Sequence, residues 1–378
     1  MRIGIDGIPL ATPKTGIGHY TFELARNLAA IAPEDEFEII APVLLNVPTS
    51  SMPPNLRTVL GRTGALRRRW WTIGLPLHVH ENRLPLFHGT NYMVPLWQRC
   101  VTVVTIHDLS LLLHSETHRE DLVQRAKRRL PTMTRIASHI LTDSEAVKKE
   151  ICQHLAVSPD KITVVPLAPR RTFTRVPHKQ TAETRRRLGV EDNFILFVGT
   201  VEPRKNLLTL VRAFDELLRT TDLQPQLVVA GQKGWLTDDL YAHVEQSEIK
   251  NRILFTGYVS DEDLASLYSS CTVSVYPSLY EGFGLPPLEA MACGAPVITS
   301  RIPVIMETAS GAARLIEPTD LQELTAALVE LLTDQKAREH YASVGRQRSA
   351  EFTWERTAQQ TLDVYRRVHA EAAGRRVA

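Results

Sequence analysis

The stretch Tyr280-Glu281-Gly282-Phe283-Gly284-Leu285-Pro286-Pro287-Leu288-Glu289-Ala290-Met291-Ala292-Cys293-Gly294-Ala295-Pro296-Val297-Ile298 decides how the rest of this chain is read. An apolar run, 273–276, precedes it, and Val297 opens another. Pro286 or Pro287 suits a first helical turn, where the missing N–H costs nothing. Residues 288–293 then form a short helix that Gly294 ends. Gly282 and Gly284 let the backbone pass close to a ligand. A helix N-terminus behind a glycine loop, at the carboxyl end of a strand, is an anion site. Glu281 stands in the loop and Glu289 on the helix, eight residues apart. One carboxylate can therefore meet a sugar hydroxyl while the other meets a ribose.

Outward from this stretch, short apolar runs alternate with amphipathic segments of helical length. Residues 3–6, 37–41, 101–106, 139–142 and 162–165 read as strands in the first half, and 194–198, 227–230, 253–255, 273–275 and 297–299 in the second. Helical patterns cover 20–31, 144–155, 207–219 and 264–269. Such alternation implies parallel sheets wrapped by helices. Two series imply two doubly wound α/β domains with ligand sites at the carboxyl ends of their strands. The boundary is expected between Pro166 and Asp192, where Pro166, Pro169 and Pro177 sit among polar and basic residues. That places a first domain at 1–170, a second at 190–352 and a final helix from 353. A short basic helix over 182–188 begins the second domain, and 44–75, rich in proline and basic residues, is the least regular part.

At 378 residues, two or three domains of about 150 residues each are expected. With 43% hydrophobic and 23% charged residues the composition is that of a globular protein, which excludes a disordered chain, a collagen-like repeat and a disulfide scaffold. Lys plus Arg number 44 against 42 acids, so the net charge of +2 points to no nucleic-acid partner. The charge is uneven: 20 basic and 15 acidic residues up to Arg170 leave 24 and 27 beyond it. No basic leader precedes an apolar run, and no stretch approaches the roughly 18 apolar residues of a membrane span. Cys100, Cys152, Cys271 and Cys293 are scattered, so a reduced, cytoplasmic protein is expected.

Further strand ends carry chemistry. In Phe197-Val198-Gly199-Thr200-Val201-Glu202-Pro203-Arg204-Lys205-Asn206 a glycine follows a strand and two cations precede the next helix. Arg204 and Lys205 suit a diphosphate whose charge grows as a bond to it breaks. Cations in a helix's first turn oppose its dipole, which favours a bound anion. Thr15-Gly16-Ile17-Gly18-His19-Tyr20 follows the first strand, but position 21 is Thr, so the dinucleotide fingerprint is incomplete. Thr105-Ile106-His107-Asp108 and His88-Gly89-Thr90-Asn91 end other strands, and Asp108 equally suits an Asx cap. Gly257-Tyr258-Val259-Ser260 and Gly231-Gln232-Lys233-Gly234-Trp235 are two more strand-end loops. Asp261-Glu262-Asp263 has D-x-D spacing but reads as capping acids of a helix. His114 and His118 lack the Glu of a zinc helix, and no metal site is expected. Arg67-Arg68-Arg69-Trp70-Trp71 and Arg125-Ala126-Lys127-Arg128-Arg129 are basic patches suited to an anionic membrane surface, or simply to solvent.

With Glu281 and Glu289 matching an E-x7-E motif, the chain resembles the retaining glycosyltransferases of family 4, and the wider run resembles their bacterial mannosyltransferase-like branch. The resemblance spans nearly the whole chain and is strongest over 194–300. It implies a GT-B fold, two doubly wound Rossmann-like domains facing across a cleft, with the final helix crossing back onto the first domain. It implies transfer of a hexose from a nucleoside diphosphate sugar, GDP-mannose first among donors, to a glycan or lipid-linked acceptor, without a metal or other cofactor. Glu281 then grips the donor sugar and Glu289 the ribose, while Lys205, Arg204 and the amides around Gly284 stabilise the departing diphosphate. The family places an Arg directly after the glycine, where this chain has Thr200, so the role passes to Arg204. His107 matches a histidine near the transferred sugar. Gly16, Gly18, Thr200, Tyr258, Val259, Phe283 and Leu285 complete the donor side, and His88, Asn91 and Asp108 are candidates for the acceptor side. The expected location is the cytoplasm, from the cysteines, and the basic patches suit the inner face of the plasma membrane, which would set the enzyme beside a lipid-linked acceptor. Competing readings are a GT-B sugar-nucleotide epimerase or hydrolase, a nucleotide-sugar-binding regulatory protein with a dead site, and a dinucleotide oxidoreductase, which the E-x7-E run disfavours.

Overall fold

Apolar runs such as Phe194-Ile195-Leu196-Phe197-Val198, buried along their whole length, are what a parallel strand needs when helices cover both of its faces. In the computed structural model, which describes residues 1–11, 16–45, 47, 52–61, 69–97 and 100–377, these runs form two sheets whose strand pairs are all parallel. The chain divides into two compact units. The first comprises Met1–Leu112, Gln124–Leu167 and Thr353–Ala378, and the second Leu113–Val123 and Ala168–Phe352.

The first unit holds β1 (Arg2–Asp6), β2 (Glu36–Ala41), β3 (Leu56–Leu60), β4 (Leu86–Gly89), β5 (Val101–Thr105), β6 (His139–Thr142) and β7 (Ile162–Val164) in the order β3-β2-β1-β4-β5-β6-β7. The order reverses between β1 and β4, the switch point outside which ligands bind in such sheets. Helix Gly16–Ile31 buries Tyr20, Phe22, Leu24, Ala25 and Leu28. The long helix Trp354–Val377 packs against it, with Ala358, Leu362 and Tyr365 at 1% exposure or less. Trp70 enters the core beside Ile40, Leu75, Val79, Leu84 and Phe87.

The second unit holds β8 (Phe194–Val198), β9 (Gln226–Ala230), β10 (Ile253–Gly257), β11 (Val273–Tyr276), β12 (Val297–Ser300) and β13 (Arg314–Ile316), ordered β10-β9-β8-β11-β12-β13. Its switch point lies between β8 and β11. Leu210, Phe214 and Leu217 recur at helical spacing on Leu207–Thr220, and Leu324, Leu328 and Leu331 do so on Leu321–Thr333; all are fully buried against the sheet. Each such side chain contributes about 1.5–3 kcal/mol by leaving water.

Two strands, β3 and β13, were not expected, and β4 was expected only through its end at His88-Gly89. β3 lies in the stretch read as irregular; it is an edge strand with Arg57 and Thr58 exposed, so it lacks a fully apolar run. β4 and β13 have only four and three residues. The aromatic part of the first basic patch is also corrected: Trp70 is core, and Arg67 and Arg68 lie outside the described residues.

Candidate functional site

At the switch point of the second sheet, the chain leaving β8 meets the chain leaving β11. A 3-10 turn, Pro203–Lys205, follows β8 and carries both expected cations. The Lys205 ammonium donates to Glu281 Oε1 at 2.7 Å and to the Tyr276 hydroxyl at 2.6 Å. Tyr276 and Ser278 hydroxyls donate to the same carboxylate oxygen at 2.9 and 2.5 Å. Arg204 donates from Nη2 to Glu202 at 2.8 Å and from Nη1 to the Tyr280 carbonyl at 2.9 Å, with a longer contact of 3.4 Å to Glu281 Oε2. Lys205 and Glu281 are 11% and 8% exposed at the side chain, so the pair forms mostly out of water.

The electrostatics follow from that geometry. Burial alone would raise the Glu281 pKa, but Lys205, Arg204 and Ser278 outweigh it and hold the carboxylate at about 2. Burial and then Arg204 lower the Lys205 pKa against the pull of Glu281. The cations are therefore matched by carboxylates rather than left facing the helix dipole.

Helix Leu285–Ala292 starts three residues earlier than its sequence pattern indicates, with Gly284 before it at φ +88° and both prolines in its first turn. A Cβ at Gly284 would stand 2.5 Å from Ile305 Cδ1. Phe283 is buried edge-on to Phe352, and Leu285 is half-buried. Glu289 is 4% exposed and bound to Arg170, which also holds Asp261. The acids of the D-x-D run thus do more than cap: Ser260 is the cap, Asp261 takes Arg170 and Asp263 takes Arg187. Thr200 and Tyr258 are exposed and Val259 half-buried, at the ends of β8 and β10.

The first unit assembles its own polar cluster around its switch point. His107 Nδ1 meets Asp143 Oδ2 at 2.7 Å, and Nε2 lies 3.0 Å from the Thr90 carbonyl. Tyr20 packs edge-on at 4.6 Å. Burial would lower the His107 pKa; the charge and hydrogen bond of Asp143, with smaller help from Thr90 and Asp108, reverse this and raise it. His88 does not line an open surface. It is wholly buried, with Nδ1 at 2.6 Å from the Tyr365 hydroxyl and Nε2 at 2.7 Å from Thr105 Oγ1, and burial pushes its pKa down to about 3. Asp108 caps the following turn through Ser110 and also accepts from Tyr92. Asn91 is half-buried. Gly16 and Gly18 belong to the first turn of their helix rather than to a loop; Thr15 lies outside the described residues.

Sequence reading missed Tyr276, Ser278, Glu202, Arg170 and Asp143. Only Glu202 and Ser278, each within three residues of a quoted cation or acid, had a local signal. Among the described residues no group of three or more His, Cys, Asp or Glu is placed to hold a metal ion, and no helix is long and apolar enough to cross a membrane.

Comparison with known proteins gives two family matches. A model described as "Glycosyl transferases group 1" matches residues 179–348, and one described as "Glycosyltransferase Family 4" matches residues 14–168. The O-antigen chain mannosyltransferase B of Escherichia coli is 32% identical over 381 residues, which cover 97% of this chain and 100% of that protein. Among solved structures, the sucrose-phosphate synthase of Thermosynechococcus elongatus has a TM-score of 0.78 at 23% identity, covering 98% of this chain and 99% of its own. Anabaena HepE, solved in complex with UDP and glucose, has a TM-score of 0.73 at 19% identity, covering 97% and 99%. These structural likenesses are of fold, the GT-B arrangement of two parallel sheets.

Proposed function

We propose, from the premise that this chain belongs to the family 4 glycosyltransferases, that it moves a hexose, mannose first, from a nucleoside diphosphate sugar to a hydroxyl of a glycan or lipid-linked acceptor during surface polysaccharide synthesis. The observation that carries this reading is the buried Lys205–Glu281 pair with Arg204 at the β8/β11 switch point. The O-antigen relative supports mannose and polysaccharide, and the UDP and glucose held by HepE support a nucleotide-sugar donor.

In this mechanism the bond from the anomeric carbon to the diphosphate oxygen breaks, its electron pair leaving with the diphosphate. The acceptor hydroxyl attacks from the same face, and its proton passes to the leaving phosphate, so the anomeric configuration is retained. Lys205 has three N–H groups, two of which serve Tyr276 and Glu281, so a third serves the diphosphate. Together with Arg204 it stabilises charge that grows only in the transition state, an effect worth about 10²–10³ in rate per donor. Glu281 accepts from donor sugar hydroxyls and Glu289 from the ribose, and His107 donates from Nε2 to a sugar hydroxyl that takes the place of the Thr90 carbonyl. No metal takes part. Arg125, Lys127, Arg128 and Arg129, all exposed, draw the enzyme to an anionic bilayer carrying a lipid-linked acceptor.

The test is thermal melting against GDP, UDP, ADP and dTDP sugars with and without EDTA, followed by NMR of the product formed from the responding donor. One stabilising nucleotide sugar, indifference to EDTA and an anomeric configuration matching the donor's are expected. Stabilisation by none of them, dependence on a divalent ion, or an inverted product would each overturn the corresponding part of the proposal.

A further inference from the structure

Arg170 stands between two carboxylates of the second unit. Its Nε and Nη2 lie 3.1 and 3.0 Å from Glu289 Oε1, and its Nη1 donates to Asp261 Oδ1 at 2.6 Å. The guanidinium carbon lies 4.4 Å from the centre of the Phe173 ring. Glu289 rides on helix Leu285–Ala292 and Asp261 opens helix Asp261–Ser270, whereas Arg170 belongs to neither. With 15% of its side chain exposed and 6% of Glu289's, the fork closes in a poorly hydrated place, where charge-assisted, two-pronged bonds are strongest and most directional.

We propose, resting on the reading that Glu289 takes the donor's ribose, that Arg170 is the positioning residue for that recognition. Its fork fixes Glu289 Oε1 and so presents the other carboxylate oxygen to the ribose hydroxyls, while Asp261 steadies the fork from the opposite side. A side chain held on three sides pays its ordering cost before the ligand arrives.

The charge of Arg170 has a second effect. The titratable groups facing Glu289 are Arg170, Asp261, Tyr268 and Cys293. Burial raises the Glu289 pKa and Arg170 opposes the rise; Asp261 adds to it. Without Arg170 the carboxyl takes up its proton at higher pH and ceases to be a full acceptor.

The experiment titrates the full chain with GDP and UDP and with their 2′-deoxy and 3′-deoxy counterparts, from pH 6 to 9. The intact chain is expected to bind one ribonucleotide about tenfold more tightly than a deoxy form, as loss of a hydrogen bond to a charged group predicts. Glu289→Gln should bring that ratio near one. Arg170→Ala should lower it at neutral pH and recover part of it as the pH rises, and Arg170→Lys, which keeps the charge without the fork, should fall between. A ratio unchanged in Arg170→Ala while Glu289→Gln abolishes it would overturn the role of Arg170 alone. If Glu289→Gln leaves the ratio intact, or the intact chain shows no ribose preference, the reading of Glu289 falls instead. Should Arg170→Ala fail to fold, Arg170→Lys decides, and a wild-type ratio in it overturns the proposal.

Discussion

Lys205 and Glu281 stand one hydrogen bond apart in a poorly hydrated site, so neither charge leaves without consequence for the other. Glu281→Gln strands the ammonium, and removing one partner of a buried pair costs about 3–5 kcal/mol, measurable by urea unfolding. Lys205→Met is milder, because Arg204 and two hydroxyls still face the carboxylate. Each variant should lose about 10²–10³ in turnover. The double variant should regain stability without regaining activity, and recovery of both would refute the assignment. The pH dependence has a definite sign. The Glu281 pKa is depressed to about 2 from 4.5, so its contribution is complete above 4.5 and is lost as the pH falls toward 2. Acid unfolding of Glu281→Gln should lack that component. His107 gives the opposite case, since Asp143 raises its pKa against burial. Asp143→Asn should move the alkaline limb of the rate profile to lower pH, and an unmoved limb would exclude a proton-bearing His107 from the reaction. Glu281 and Glu289 could be named as candidates because their spacing is local, and Lys205 because it follows a strand-end glycine. Asp143 lies 36 residues from His107 and Arg170 lies 119 from Glu289, and no spacing rule reaches that far.

Among elements, helix Leu285–Ala292 depends on the residue before it. Gly284 sits at φ +88°, costly for any side chain, and its Cβ would meet Ile305. Gly284→Ala should destabilise the chain by about 1–3 kcal/mol and weaken nucleotide binding in parallel, seen as a lower melting temperature and a higher dissociation constant. The helix itself was readable, because Gly284, the two prolines and Gly294 punctuate it; only its start was placed late. β3 was not readable, since an edge strand with polar residues on its open face has no apolar period to detect. His88 shows how a strand end misleads. As a polar residue at a carboxyl terminus it resembles a ligand group, yet the final helix covers it and supplies Tyr365 to its ring. Tyr365→Phe leaves a buried ring nitrogen without that partner, at about 1–3 kcal/mol in thermal or urea unfolding and with turnover little changed.

At the scale of the molecule, the chain returns to its first unit with its last helix. Thr357 donates to the Pro166 carbonyl at 2.7 Å, and Ala358, Leu362 and Tyr365 are buried. A chain ending at Phe352 should lose the cooperative unfolding of the first unit in calorimetry while a nucleoside diphosphate still stabilises the second. At 100 times its dissociation constant the ligand adds about 2.7 kcal/mol, and loss of that response would show that the second unit cannot stand alone. What the sequence by itself determined is the class: two parallel sheets, strand ends as candidate sites, and the glycine loop that carries Glu281 and Glu289. These follow from periods and turn chemistry written within a few residues, and backbone sterics enforce them anywhere. What only the tertiary structure decided is partnership. Lys205 is neutralised by Glu281, Arg170 forks onto Glu289 and Asp261, and His88 is core rather than site. Ion pairs and burial depend on which strand lies beside which, and strand order arises from packing the whole chain.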